Sequence, residues 1–164
     1  MAADVHEYSR LIAHAEDLTI TQLRSHRAEI VDPAITQHRG RIANTAGDSV
    51  LAEFPCIEDA VACSVAIQTT LLEVNKEVDP TESIRFRIGL HLDEVVDIDG
   101  DLLGHGVNIA ARLEALATPG GILISEHACP QASDGSMFGF CQLGPRKLKN
   151  LAEPIVVYEI VFRV

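Results

Sequence analysis

Residues 40–55 read GRIANTAGDSVLAEFP. Ile42 opens an apolar stretch, the small residues Ala46-Gly47-Asp48-Ser49 interrupt it, and Val50-Leu51-Ala52-Glu53-Phe54 resumes it. Strand, tight turn and strand is the reading, so a β-hairpin presents the carboxylate of Asp48 at its tip. An aspartate beside a glycine is also an ordinary turn pair, and spacing alone leaves both readings open.

Upstream of the hairpin, Leu11, Ile12, Ala15, Leu18, Leu23, Ile30 and Ile35 recur at helical spacing between Ser9 and Gln37. One long helix is expected there, broken near Thr19 to Thr21, with Pro33 and Gly40 punctuating its far end. Downstream, Ile57 to Val74 repeats an apolar face and is led by Glu58 and Asp59, which suit the positive end of a helix. A polar loop covers Asn75 to Ser83. Ile84 to Leu92 and Glu94 to Ile98 read as paired strands, Asp99-Gly100-Asp101 as a turn, Val107 to Ala117 as a third helix and Ile122 to Ser125 as a short strand. Residues 130–140 read as an exposed arm or loop, while Leu148 to Lys149 and Ile155 to Phe162 close the sheet. The pattern is α+β with a mixed or largely antiparallel sheet, in a single domain spanning residues 1–164.

The chain has 164 residues, of which 47% are hydrophobic, enough for a full core. Its 13 Lys+Arg against 24 Asp+Glu give a formal charge of -11, which repels phosphate backbones and anionic lipid. No nucleic acid and no membrane are therefore expected as partners, and an anionic ligand needs a local basic site or metal ions. No apolar run reaches the ~20 residues of a membrane span, and MAADVHEYSR lacks the marks of a secretory leader, so a cytoplasmic location is expected. Cys56, Cys63, Cys129 and Cys141 form no CxxC pair and read as core or near-core thiols. The histidines show no zinc spacing, and neither GxxxxGK[ST] nor GxGxxG is present. Nucleotide binding, if it occurs, uses another device.

Asp4 and Asp48 both stand at the ends of expected strands. If those strands are neighbours, the two carboxylates converge, which suits Mg²⁺ when water and substrate phosphate complete its octahedron. Asn108 and Arg112 lie four residues apart on one face of the third helix, where an amide and a guanidinium could hold a ribose and a phosphate. A solvated helix face is the alternative. Lys147 and Lys149 form a short basic run, either a phosphate contact or a solubilising patch.

The segments AADVHEYSRL, GRIANTAGDSVLAEFP, IRFRIGLHLDEV, DGDLLGHGVNIAARLEALATPGG and LKNLAEPIVVYEI occur in that order from about residue 2 to residue 160. Together they resemble the successive motifs of the class III nucleotidyl cyclase catalytic domain in its bacterial form. The resemblance implies a ferredoxin-like βαββαβ core with flanking helices and a head-to-tail homodimer, each of whose two active sites is built from both subunits. It implies that Asp4 and Asp48 bind two divalent cations, Mg²⁺ or Mn²⁺, and that Arg87 contacts the nucleotide phosphates. From the other subunit, Asn108 would orient the ribose, Arg112 would stabilise the transition state and Lys149 would hold the triphosphate. The implied reaction is attack of the ribose 3′-hydroxyl on the α-phosphate with loss of pyrophosphate, for intracellular signalling.

Three positions depart from the family's pattern. Asp101 matches the adenine-selecting aspartate, but Asn44 replaces its lysine partner, and an amide can serve either adenine or guanine. ATP is the favoured substrate, because Asp101 repels guanine O6, with GTP or a pyrimidine triphosphate as alternatives. Glu7 stands where the family has glycine in the loop that cradles the triphosphate. The sequence also begins three residues before Asp4, so the first strand is expected to be truncated. These departures motivate a second reading, a degenerate domain that binds nucleotide without turnover.

Overall fold

The computed structural model describes residues 1–129, 138–151 and 153–162. In chain order its elements are strand β1 (Ala2–Val5), helix α1 (Tyr8–His26), a π-helical segment at Arg27–Val31, helix α2 (Asp32–Gln37), strands β2 (Arg41–Ala46) and β3 (Ser49–Glu53), and helix α3 (Ile57–Val74). Then come strands β4 (Phe86–Leu90), β5 (Val96–Ile98) and β6 (Asp101–Leu103), helix α4 (His105–Leu116), and strands β7 (Ile122–Ser125), β8 (Phe138–Arg146) and β9 (Ile155–Phe162).

Seven strands form one sheet in the order β2-β3-β1-β4-β7-β9-β8. Neighbours run antiparallel except β4 and β7, which are parallel and joined through α4, as a parallel pair requires a crossover. The sheet is thus mixed and largely antiparallel. Strands β1 to β4 with α1 and α3 make the βαββαβ core, in which β1 lies between β3 and β4.

Alternation along the central strands assigns one residue to each face. Ala3 and Val5 of β1 and Phe86, Ile88 and Leu90 of β4 enter a core shared with Leu11, Leu23, Ile35, Val61, Ile67 and Leu71 from the helices on that side. Asp4 and Arg87 are register partners on the opposite face, where α4 packs. Helix α4 lies so close that a Cβ at Gly89 would fall 2.1 Å from Ala110 O and 2.3 Å from Glu114 N. Glycine here serves close approach of a helix to a strand. Ile109, Leu113 and Ala117 of this segment seal a smaller core with Leu123, Leu148 and Val157.

Five expectations are corrected, the last of them at Cys141. The long helix breaks at Ala15 (φ -152°, ψ 76°) rather than at Thr19 to Thr21, and Thr19 Oγ1 bridges the kink by donating to Leu11 O at 3.1 Å. The π-helical segment at Arg27–Val31 then absorbs Pro33, which lacks the N–H a continuous helix would need at that point. Residues 94–98 do not pair with β4, whose edges are taken by β1 and β7. Instead β5 pairs with β6 in a separate ribbon. Leu148 and Lys149 lie outside the sheet, and its outer strand is β8, whose glycine, proline and mixed polar residues gave no alternating signal. Of the expected arm at residues 130–140, Phe138 to Phe140 belong to β8 and the remainder lies outside the described residues.

Cys63 is buried, with its thiol pushed up to about 12 by that burial, whereas Cys141 is exposed rather than near-core. Among the described residues no helix is long and apolar enough to cross a membrane.

Candidate active site

The hairpin turn brings Asp48 to Asp4. Ala46 and Ser49 are the last paired residues of β2 and β3, and Gly47 takes φ 62°, the left-handed conformation that tight hairpin turns demand. Because β3 pairs directly with β1, the tip lies over the carboxyl end of β1. Asp4 Oδ1 accepts from Val5 N at 3.0 Å and from Ser49 Oγ at 3.2 Å. Burial, then hydrogen bonding and repulsion with Asp4, push the Asp48 carboxyl up to about 6. Two carboxylates that resist ionising together are a donor set a divalent cation relieves, and their hard oxygens fit Mg²⁺ or Mn²⁺.

Arg87 lies across the strand pair from Asp4, with Nη2 3.8 Å from Asp4 Oδ2 and 2.9 Å from Glu114 Oε1. Its Nη1 donates to Ala115 O at 3.2 Å, meeting a carbonyl in the last turn of α4. The close approach to Glu114 is an ion pair without hydrogen-bond angles, leaving Arg87 Nε and Glu114 Oε1 buried and without a hydrogen-bond partner. Burial pushes Glu114 up to about 7, with Asp4 and Asp48 adding to the shift and Arg87 opposing it. Sequence reasoning missed Glu114. The only signal was an acid two residues after Arg112 in an otherwise apolar helix stretch.

Asn44 reaches this face through a β-bulge. Ile42 pairs with Ala52 but Asn44 pairs with Leu51, so Ala43 is the extra residue. Simple alternation would keep Asn44 with Ile42, which packs against the main core; the bulge turns it to the face of Leu51 and Asp4. There Asn44 Nδ2 donates to Asp101 Oδ1 at 3.2 Å, which also accepts from Leu102 N at 2.9 Å.

Two faces of helix α4 line separate cavities. Val107, Ala111 and Glu114 line a cavity of about 220 Å³ with Asp4, Asn44 and Ser49. His105, Asn108 and Arg112, about a third of a turn around the helix, line another of about 170 Å³ with Lys149, Asn150 and Leu151. Buried Leu148 anchors the turn that presents Lys149 there, and Asn150 takes φ 63° within it. Asn108 Nδ2 donates to Gly104 O at 3.3 Å. Of the candidate residues, Asp4 and Asn44 thus line one cavity, with Arg87 beside Asp4 and Asp101 beside Asn44, while Asn108, Arg112 and Lys149 line the other. Either cavity alone is below the roughly 300 Å³ at which small-molecule sites begin.

Glu7 retains the glycine conformation at φ 53°, as the residue before α1. Its carboxylate is held by Arg10 Nε at 2.7 Å, and that hydrogen bond lowers its pKa.

A family model described as the adenylate and guanylate cyclase catalytic domain matches residues 1–160. A Rhizobium meliloti (strain 1021) protein described as "Putative adenylate cyclase 3" is 35% identical over 158 residues, 96% of this chain. The chain spans 27% of that relative's length. The crystal structure of an adenylate/guanylate cyclase/hydrolase from Silicibacter pomeroyi superposes with a TM-score of 0.88 at 37% identity, covering 99% of this chain and 95% of that one. A Trypanosoma brucei adenylate cyclase structure in its monomeric state shares the fold, with a TM-score of 0.83 at 21% identity over 97% of this chain and 87% of that one.

Proposed function

Because the chain belongs to the adenylate and guanylate cyclase catalytic domain family, we propose that it is a metal-dependent nucleotidyl cyclase that converts ATP to 3′,5′-cyclic AMP and pyrophosphate in the cytoplasm, as a homodimer. The observation that carries this reading is the convergence of Asp48 on Asp4 at the hairpin tip, where burial and the neighbouring carboxyl hold Asp48 up to about 6 and the Arg87 guanidinium lies 3.8 Å from Asp4. Asp4 and Asp48 would hold two divalent cations, whose chemistry is to lower the pKa of the 3′-hydroxyl and to neutralise the triphosphate.

The protein's own residues position and stabilise. Arg87 gives cationic contact to the phosphates. The half-site formed by Asn108, Arg112 and Lys149 belongs to the site of a second copy, since these groups line a different cavity from Asp4. Asn108 orients the ribose, Lys149 holds the triphosphate, and Arg112 meets the charge that grows on the α-phosphate. The Arg112 contact strengthens mainly in the transition state, so its loss lowers turnover more than affinity. No protein nucleophile is required. Arg10 restrains the Glu7 carboxylate at the phosphate loop.

Asp101 offers an acceptor to the exocyclic amine of adenine. A guanylate reading has one observation in its favour: with Asn44 Nδ2 donated to Asp101, the amide oxygen of Asn44 is left as an acceptor for guanine N1–H.

The test incubates the purified protein with ATP, GTP, CTP and UTP separately, with Mg²⁺ or Mn²⁺, and scores cyclic product and pyrophosphate by mass spectrometry. Cyclic AMP from ATP, absent with Arg112→Ala, is the expected result. Cyclic GMP from GTP instead moves the assignment to guanylate cyclase. No cyclic product from a protein shown to be dimeric by light scattering overturns the enzyme reading and leaves a nucleotide-binding domain.

A further inference from the structure

Asn44 and Asp101, which take the base in the reading above, sit on elements that share no ladder. Asn44 belongs to β2, the terminal strand of the seven-stranded sheet, while Asp101 opens β6 in the separate two-stranded ribbon. Their single hydrogen bond, 3.2 Å long and exposed to solvent, is by itself a weak tie between the two elements.

A second tie is built around Arg41, also on β2. Its Nε donates to Glu53 Oε1 at 2.7 Å, across the strand pair from it, which fixes the plane of the guanidinium on the hairpin. Both terminal nitrogens then reach the ribbon, Nη1 to Gly100 O at 2.8 Å and Nη2 to Asp97 Oδ2 at 2.8 Å. Asp97 is itself tied into the turn, accepting from Gly100 N at 2.8 Å through Oδ1. Asp99 (φ 54°) and Gly100 (φ 89°) join the paired residues Ile98 and Asp101, the pattern of a two-residue hairpin of type I′. The fork of one arginine thus grips both the backbone and the side chain of the turn that delivers Asp101.

We propose that Arg41 is a positioning residue for base selection, fastening the turn before Asp101 to the hairpin that carries Asn44 so that the two base-reading groups keep one spacing. This rests on the assignment of Asn44 and Asp101 to the base. The contacts lie near the surface, with the Arg41 side chain 40% and Asp97 52% exposed, so they add little to global stability. Their value is geometric. A lysine offers one compact charge and cannot span three acceptors in a plane.

The experiment measures binding of 3′-deoxy-ATP and 3′-deoxy-GTP, which cannot cyclise, with Mg²⁺, so that turnover is not needed for a readout. The ratio of the two dissociation constants is compared for the unaltered chain, Arg41→Ala, Arg41→Lys, Asp97→Asn and Asp101→Ala. Arg41→Ala is expected to shrink the preference by about fivefold, the size of one weakened hydrogen bond, with the unfolding midpoint essentially unchanged. Asp97→Asn, on the exposed ribbon, gives a smaller shift in the same direction, and Arg41→Lys restores only part of the ratio. If Asp101→Ala collapses the preference while Arg41→Ala and Asp97→Asn leave it intact, the role of Arg41 is overturned and the base assignment stands. An unchanged ratio in Asp101→Ala, or no preference in the unaltered chain, overturns the base assignment and the proposal with it. An equal loss of affinity for both nucleotides in Arg41→Ala marks a structural residue only and also overturns it.

Discussion

The two faces of β1 and β4 divide labour residue by residue. Toward α1 and α3, Val5, Phe86, Ile88 and Leu90 are almost completely buried among apolar neighbours. Toward α4, the intervening positions are Asp4, Arg87 and Gly89, and charged groups take the place of close-packed hydrocarbon. The second face has only a small apolar seal around Leu113 and Val157, and it leaves Arg87 Nε and Glu114 Oε1 buried without hydrogen-bond partners. One face stabilises the sheet; the other accepts electrostatic cost in a place where charge can be used. The period of two in a strand lets both coexist on the same few residues.

The largest expected contrast comes from truncating one group on each side. Phe86→Ala should destabilise the fold by about 3–5 kcal/mol, measured by urea unfolding. Arg112→Ala should lower kcat by about 100- to 1,000-fold while leaving the unfolding midpoint and KM nearly unchanged. A large stability loss in Arg112→Ala would erase the division between the faces.

Next in size is the contact of the second face with α4. Gly89→Ala forces a methyl group against the α4 backbone at Ala110 and Glu114, and about 1–3 kcal/mol of destabilisation is expected. Activity should fall with it, because α4 carries groups of both half-sites. An unperturbed unfolding curve would show that α4 yields freely.

A smaller effect is expected from pH. Asp48 and Glu114 carry folded pKa values raised to about 6 and about 7, so at these two groups the folded chain binds more protons than the unfolded one above pH ~4. Their contribution to stability is complete below the unfolded carboxylate values and is lost as pH rises through the raised ones. These two groups together should therefore cost the metal-free protein roughly 2 kcal/mol between pH 4 and pH 7, after allowance for solvent screening, read as the difference from variants that lack them. Glu114→Gln should flatten much of that slope in thermal melts. Saturating Mg²⁺ should reverse the part that belongs to Asp48, and a slope indifferent to both would break the electrostatic account of this face.

The smallest effect concerns neither core nor cavity. Glu7 holds a left-handed conformation at φ 53°, which glycine adopts without strain. Glu7→Gly is expected to raise the unfolding midpoint by a few degrees. A lower midpoint would mean that the Arg10 contact outweighs backbone relief.

Periodicity and turn chemistry are local, and for that reason the chain itself announced the β2–β3 hairpin, the helix at Ile57–Val74 and the strands at Ile122–Ser125 and Ile155–Phe162. The glycine before Asp48 was enough to place a carboxylate at a hairpin tip, and the spacing of Asn108 and Arg112 was enough to put them on one helix face. Partner choice among strands is not local. Whether residues 94–98 would pair with β4 or fold onto residues 101–103 depended on β1 and β7 occupying both edges of β4. Strand β8 lacked alternation, so only its pairing with β9 revealed it. The bulge at Ala43 decided which face Asn44 would serve, since one extra residue inverts the alternation on which a reading of the sequence depends. Glu114 became part of the site only when Gly89 let α4 approach and brought its carboxylate to Arg87. The sequence by itself determined which short-range elements form and which chemical groups they carry; the tertiary structure decided which of those groups meet, because long-range pairing and close packing are settled by every neighbour at once.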